Sequence, residues 1–265
     1  MTSVFPYLSN NLNLQASDSL AFPFLDYGFL YGYGLFESIR VHKKNPLLIR
    51  DHLTRLRRGS IILDIPFDYV QDDVIEHVNE LIEKNNVDDA ILNIYLTPGN
   101  RPNDPSQRRA SNQCFMLMVL RPWPNYTDET TSVSLEVRQE SFQRTPLDRF
   151  KTLSWMKNVL ERRLSVQADD VILYNHAGNI LETSSSNLFF VKDKTVFTPK
   201  SNMILSGITR QFLLNHQNEL GIELVMRPIE LEELFSMDEV FLTNSLRGVY
   251  MVDLVEGYKN LKSKE

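Results

Sequence analysis

Apolar positions recur along the chain with two different periods, and each change of period marks an element. "LFESIRV" (35–41) alternates apolar with polar residues, as a half-buried strand does. With "PLLIR" (46–50) across "HKKN" it reads as two strands and a turn. The period then lengthens: "DHLTRLRRGSIILDI" (51–65) and "DYVQDDVIEHVNELIEKN" (68–85) have helical spacing. In the second, Val70, Val74, Val78, Leu81 and Ile82 form one stripe, and Asp68 stands where an N-cap is expected. "AILNIYL" (90–96) and "CFMLMVL" (114–120) read as buried strands around a polar, Pro-rich loop at 98–113.

"RPWPNYTDETTS" (121–132), with two prolines and a polar tail, is the expected linker. Beyond it come the strand "VSLEVR", a helix in "SWMKNVLERRLSVQ" with Trp155 and Val159 on one face, and the strands "VILYN", "NLFFV" and "TVFTP". A helix from about Gly207, the strand "IELVMRP", a short helix and the strand "EVFLTN" follow. Mixed elements on both sides of the linker predict an α/β (α+β) protein of two domains, 1–120 and 133–265, joined by 121–132.

Composition narrows the function classes. Of 265 residues 42% are hydrophobic and 23% charged, the balance of a soluble globular protein. The net charge of −6 argues against a nucleic-acid partner, because neutralising phosphates needs a basic surface. No apolar run approaches the roughly 20 residues that span a bilayer, so no membrane partner is expected. The single cysteine, Cys114, excludes an intrachain disulfide, and the N-terminal "MTSVFPYLSNN" carries no secretory pattern. A cytoplasmic protein is the expectation.

"DYGFLYGYGLFESIR" (26–40) brings three glycines together. They lead into a strand rather than a helix, so a dinucleotide loop fails on context. Gly28, Gly32 and Gly34 are read instead as a bend that needs positive φ or close packing. Further on, Lys151 ends a loop before a helix, and Glu182 precedes the hydroxyl run "TSSSN". In "ILSGITR", Ser206, Gly207, Ile208 and Thr209 open a helix, where free N–H groups make a phosphate seat; simple capping by Ser206 is the alternative.

Together "YGYGLFESIR", "RDHLTRL", Lys151, "ADDVILYNHAGNILETSSSNLFFV", the "TP" at 198–199 and "LSGITR" run over nearly the whole chain. In that order they closely resemble the fold-type-IV, class IV aminotransferase family of pyridoxal-phosphate enzymes. The resemblance implies a smaller N-terminal α/β domain, a larger C-terminal domain with a barrel-like sheet, and a homodimer. It implies that Lys151 holds the aldehyde of pyridoxal 5'-phosphate as a Schiff base and then moves protons. It implies that Glu182 faces the pyridine nitrogen and keeps it protonated. Arg50 matches a phosphate-binding arginine; its alternative is a surface ion pair with Asp51 or its neighbours. Ser206, Gly207, Ile208 and Thr209 would seat the phosphate, with Asn244 and Ser245 closing it. Asn187 would brace the Glu182 loop, and Tyr31 and Phe36 match pocket-lining residues that could equally be core.

Three activities share this scaffold: branched-chain aminotransferase, D-amino-acid aminotransferase and 4-amino-4-deoxychorismate lyase. "TNSLRGV" (243–249) and the hydroxyl at Ser38 resemble the lyase pattern. The lyase makes 4-aminobenzoate and pyruvate for folate synthesis. A hydroxyl near the departing enolate would relay the proton that completes pyruvate, the alternative being a small polar residue on a half-exposed strand. All three activities act on small carboxylates. Arg101 is the candidate clamp, with Arg108, Arg109 and Arg247 behind it.

Overall fold

In the computed structural model of the chain, residues 4–103, 106, 114–124 and 132–255 are described. Contacts gather into two units, Met1–Pro124 with Phe150–Trp155 and Asn125–Arg149 with Met156–Glu265. The expected single crossing between domains is therefore a triple one, and Lys151 lies in the segment that returns to the first unit. Residues 125–131 of the expected linker lie outside the described residues, while Arg121 and Pro122 end one strand and Ser132 opens another.

The first unit contains β1 (Tyr7–Asn10), β2 (Asn13–Ala16), α1 (Tyr27–Tyr31), β3 (Leu35–His42), β4 (Asn45–Pro46), α2 (Ile49–Ile62), α3 (Gln71–Asn85), β5 (Ala90–Thr97) and β6 (Phe115–Pro122). Its antiparallel sheet runs β2-β1-β6-β5-β3-β4. Alternation in β3 sends Leu35, Ile39 and Val41 into a core shared with Leu53 and Leu56 of α2 and Val74, Val78 and Leu81 of α3. Phe36, Ser38 and Arg40 face the other way, half-buried.

Three local expectations give way. "PLLIR" yields only the two-residue β4, because Leu48 takes a left-handed conformation (φ 52°) and α2 starts at Ile49. Asp68 does not cap α3: the N-cap position falls on Val70, which is 58% exposed and outside the buried stripe. Trp155 does not share a helix face with Val159, since α4 (Met156–Leu164) starts one residue later in the other unit. The returning segment is instead fastened to β3, Phe36 N donating to Lys151 O at 2.9 Å and Leu153 N to Gly34 O at 2.9 Å. Gly34 leaves no room for more: a Cβ there would lie 2.7 Å from Leu96 O.

The second unit adds β7 (Ser132–Gln139), β8 (Asp170–Tyr174), β9 (Ile180–Thr183), β10 (Asn187–Lys192), β11 (Thr195–Pro199), α5 (Ile208–His216), β12 (Glu223–Arg227), β13 (Glu239–Asn244) and β14 (Gly248–Val255). Its sheet runs β12-β11-β10-β13-β14-β7-β8-β9. β9 closes one end of that order, yet residues 184–186 alone join it to β10, third from the other end. Three residues reach roughly 10 Å, so the sheet must curl into a half-barrel. Leu135, Ile172, Leu188, Phe190, Leu242 and Val252 fill its core. Among the described residues no helix is long and apolar enough to cross a membrane.

One charge sits inside the first unit's core. Glu37 on β3 is 1% exposed and accepts from Arg55 Nε at 2.8 Å, Arg55 Nη2 at 2.5 Å and His52 Nδ1 at 2.7 Å. Burial pushes its pKa up, but Arg55 and His52 overcome that and hold it at about 2. His52 is itself held low, mainly by burial, which makes the neutral ring the donor. Glu37→Gln is expected to lower unfolding free energy at pH 7 by roughly 3–5 kcal/mol in urea denaturation, because it leaves a buried cation unanswered. The folded pKa lies below the unfolded one, so this stability is present above 4.5 and is lost as pH falls to about 2. A difference between variant and wild type that stays constant over that range contradicts the assignment.

Candidate active site

On the first unit's second sheet face, Lys151 Nζ stands 4.2 Å from the ring centre of Phe36 and 4.5 Å from that of Trp155. Phe36 in turn stacks on Tyr95 and meets Trp155 edge-on. An amine between aromatic walls is partly desolvated and held in place without losing reach. Ser38, one alternation along β3, accepts from Asn93 Nδ2 at 2.9 Å.

The arginines are placed differently from the expectation. Arg50 lies in the first turn of α2, its side chain 66% exposed, and pairs with Asp72 at 2.7 Å. That is a surface ion pair, though with Asp72 rather than with Asp51 or its neighbours. Arg55, just over one turn further on, is the arginine turned inward, its side chain 11% exposed. Arg55 stands three residues after buried His52, and both reach Glu37 on β3, a pairing that the leucines of "HLTRL" alone do not report. Arg101 is exposed and donates to Tyr31 Oη at 3.4 Å, where Tyr31, 57% exposed, ends α1. Of the two expected pocket residues, Phe36 stands beside Lys151. Arg108 and Arg109 lie outside the described residues, and Arg247 stacks on Tyr250 in the second unit.

In the second unit Glu182 is 4% exposed at the end of β9. It accepts from Arg144 Nη1, from Asn187 Nδ2 at 3.0 Å and from Leu205 N at 3.1 and 3.2 Å. Burial raises its pKa, against the pull of Arg144 and these donors. Arg144, 8% exposed, also approaches Glu140 at 3.6 Å and is a residue that the sequence reading missed; nothing in "SFQRTP" marks it. The hydroxyl run is a turn tied to one carboxylate: Thr183 Oγ1 and Ser185 Oγ each donate to Asp170 at 2.9 Å.

Asn187 joins Glu182 to the start of α5. Its Nδ2 also donates to Leu205 O at 3.0 Å, and its Oδ1 comes so close to Gly207 that a Cβ there would lie 2.0 Å away. Gly207 is the N-cap of α5 and has no side chain with which to cap the helix. The N–H groups of the first turn, from Ile208 and Thr209 onward, stand near a buried carboxylate, and a helix start of this kind can seat an anion. The Thr209 hydroxyl donates to Asn244 O at 3.0 Å. Asn244 is occupied structurally: Oδ1 accepts from Leu246 N and Arg247 N, and Nδ2 donates to Ser186 and Tyr250. Ser245, half-buried, follows at that strand end.

The sequence signature of amino-transferase class IV matches residues 34–255. The chain belongs to the class IV aminotransferases, a family of pyridoxal-phosphate enzymes. It is 28% identical over 258 residues to the aminodeoxychorismate lyase of Bacillus subtilis, covering 93% of this chain and 85% of that one. It is 26% identical over 241 residues to the branched-chain-amino-acid aminotransferase of Pseudomonas aeruginosa, covering 86% and 78%. The crystal structure of the Escherichia coli branched-chain amino acid aminotransferase superposes with a TM-score of 0.85 at 25% identity, covering 96% of this chain and 87% of that one. The fold is therefore the fold-type-IV architecture, and relatives carry both lyase and aminotransferase names.

Each unit carries groups that fit the cofactor's chemistry: in the first, an amine among aromatic rings; in the second, a buried carboxylate suited to a ring nitrogen and a helix start suited to a phosphate. Arg144→Met is expected to cost roughly 3 kcal/mol in urea denaturation, since Glu182 then stays buried without its cation. Adding Glu182→Gln to that variant is expected to recover part of the loss. Equal stability of wild type and Arg144→Met contradicts the pairing.

Proposed function

We propose that this protein is a pyridoxal-phosphate-dependent lyase converting 4-amino-4-deoxychorismate to 4-aminobenzoate and pyruvate, a step toward folate. The observation that carries this reading is the hydroxyl of Ser38, on the sheet face where Phe36 meets Lys151. When bound, the cofactor withdraws electrons from the carbon bearing the substrate amine and so acidifies its proton. Lys151 takes that proton from ring carbon C4, and its aromatic neighbours hold the amine in place. The C3–O bond then breaks with its electrons leaving on oxygen, and the ring becomes aromatic. Ser38 relays the proton taken by Lys151 to the methylene carbon of the departing enolate, which completes pyruvate and returns both side chains to their starting state. One proton leaves C4 and one joins the methylene carbon, so no co-reactant is required.

Glu182, held in place by Arg144 and Asn187, faces the pyridine nitrogen in this reading. The phosphate is held by the start of α5 at Ser206, Gly207, Ile208 and Thr209, by Ser245, and by Arg55 in place of Arg50. Two of the Arg55 donors are committed to Glu37, which fixes the direction of the guanidinium. A homodimer accords with the exposure of Phe24 (68%), Phe29 (63%) and Tyr31 (57%) on the first unit. The second reading is an aminotransferase of branched-chain or D-amino acids, favoured by the similarity to the Pseudomonas aeruginosa enzyme.

Incubation of the holoenzyme with 4-amino-4-deoxychorismate is expected to release 4-aminobenzoate and pyruvate in equal amounts. Ser38→Ala is expected to lower kcat roughly 100-fold or more while leaving the half-reaction with an amino acid unchanged. Conversion of an amino acid and 2-oxoglutarate, with no lyase product, contradicts the lyase reading and supports the second.

A further inference from the structure

The sheet face that carries Phe36 and Ser38 also carries an arginine with no role in the chemistry above. The register of β3, β5 and β6 lays three ranks of side chains across it: Phe36–Tyr95–Leu117, Ser38–Asn93–Val119 and Arg40–Ile91–Arg121. Arg121 leans into the middle rank, its Nε donating to Asn93 Oδ1 at 2.7 Å. Asn93, 2% exposed, is fixed from its other end as well, Nδ2 donating to Ser38 Oγ at 2.9 Å and to Glu37 O at 3.2 Å. The guanidinium is thus aimed by a buried amide rather than left to sample solvent.

The two cations of the third rank differ in what they already hold. Arg40 is committed, pairing with Asp89 at 2.5 Å and lying 3.4 Å over the Trp123 ring. Arg121 has no carboxylate partner among the described residues and is exposed. With Nε engaged by Asn93, its Nη1 and Nη2 edge is the one presented outward, and that edge matches both oxygens of a carboxylate.

We propose that Arg121, aimed by Asn93, binds the substrate carboxylate that lies farthest from the reacting amine. This rests on Lys151 being the reacting amine of the enzyme. Neighbouring ranks on one face are roughly 7 Å apart, so the guanidinium sits about that far from the aromatic rank at Lys151. The carboxylate of a simple α-amino acid is too close to its amine to span that interval. A carboxylate across a six-membered ring from the amine, as in 4-amino-4-deoxychorismate, spans it, as does the second carboxylate of a dicarboxylic amino acid. Arg101, bonded to Tyr31 at the end of α1, gives way to Arg121 in this role.

Titration of the holoenzyme with 4-aminobenzoate and with aniline, followed by cofactor absorbance, isolates the remote carboxylate. Arg121→Met is expected to weaken 4-aminobenzoate roughly 10- to 100-fold and leave aniline unchanged, the loss of a charge-assisted contact. Arg121→Lys is expected to recover part of the loss, and Asn93→Leu to weaken 4-aminobenzoate although the positive charge remains. Wild-type affinity for 4-aminobenzoate in Arg121→Met, or equal losses for both ligands, overturns the clamp. Failure of the lyase reading appears separately, as absence of pyruvate from the wild type. The clamp is then read as a preference for glutamate over norvaline in the amino-acid half-reaction, which Arg121→Met is expected to abolish. A wild type with neither preference overturns it.

Discussion

A strand turns successive side chains to opposite faces, and Glu37 lies between Phe36 and Ser38 on β3. If Phe36 and Ser38 are to stand on the Lys151 face, Glu37 has to enter the apolar core against α2. A carboxylate there is tolerated only when ionic and hydrogen-bonded partners meet it, and Arg55 and His52 do so. The same bonds lock the register. A slip of one residue would pull Glu37 away from both partners and push Phe36 into the helices. Lys151 depends on this in turn, because its own carbonyl is bonded to Phe36 N.

The second unit buries another carboxylate and answers it with a different chain of contacts. Glu182 is reached by Arg144 from a loop and by Asn187 from β10, and Asn187 presses on Gly207 at the start of α5. The buried carboxylate and the start of α5 are therefore held by one asparagine. Glu37 and Glu182 differ in the balance: Arg55 and His52 hold the first at about 2, whereas burial raises the second.

Elements with strong apolar contrast were legible in the sequence: α2, α3, β5, β6, β10 and β13 all lie where their periods put them. β1 and β2 escaped because "YLSNNLNLQA" is mostly polar, and its turn depends on positive φ at Asn11 and Leu12, which no hydrophobic period reports. β14 escaped for a related reason, since the turn before it is made by Asn244 accepting from Leu246 and Arg247. Among site residues, Lys151 and Glu182 were recognisable through a family pattern. Matching "RDHLTRL" as a string does not report that the helix leaves Arg50 exposed and turns Arg55 inward. Asn93, Arg121 and Arg144 act through partners far away in sequence, and such pairings exist only once the sheets have formed.

Lys151 as the residue that holds the cofactor is the claim on which the functional reading stands. Borohydride reduction of the holoenzyme, followed by proteolysis and mass mapping, tests it most directly. Pyridoxal-derived mass on Lys151 alone, with none in Lys151→Ala, is the expected result. Label on another lysine, or none on a protein that still turns over substrate, contradicts it.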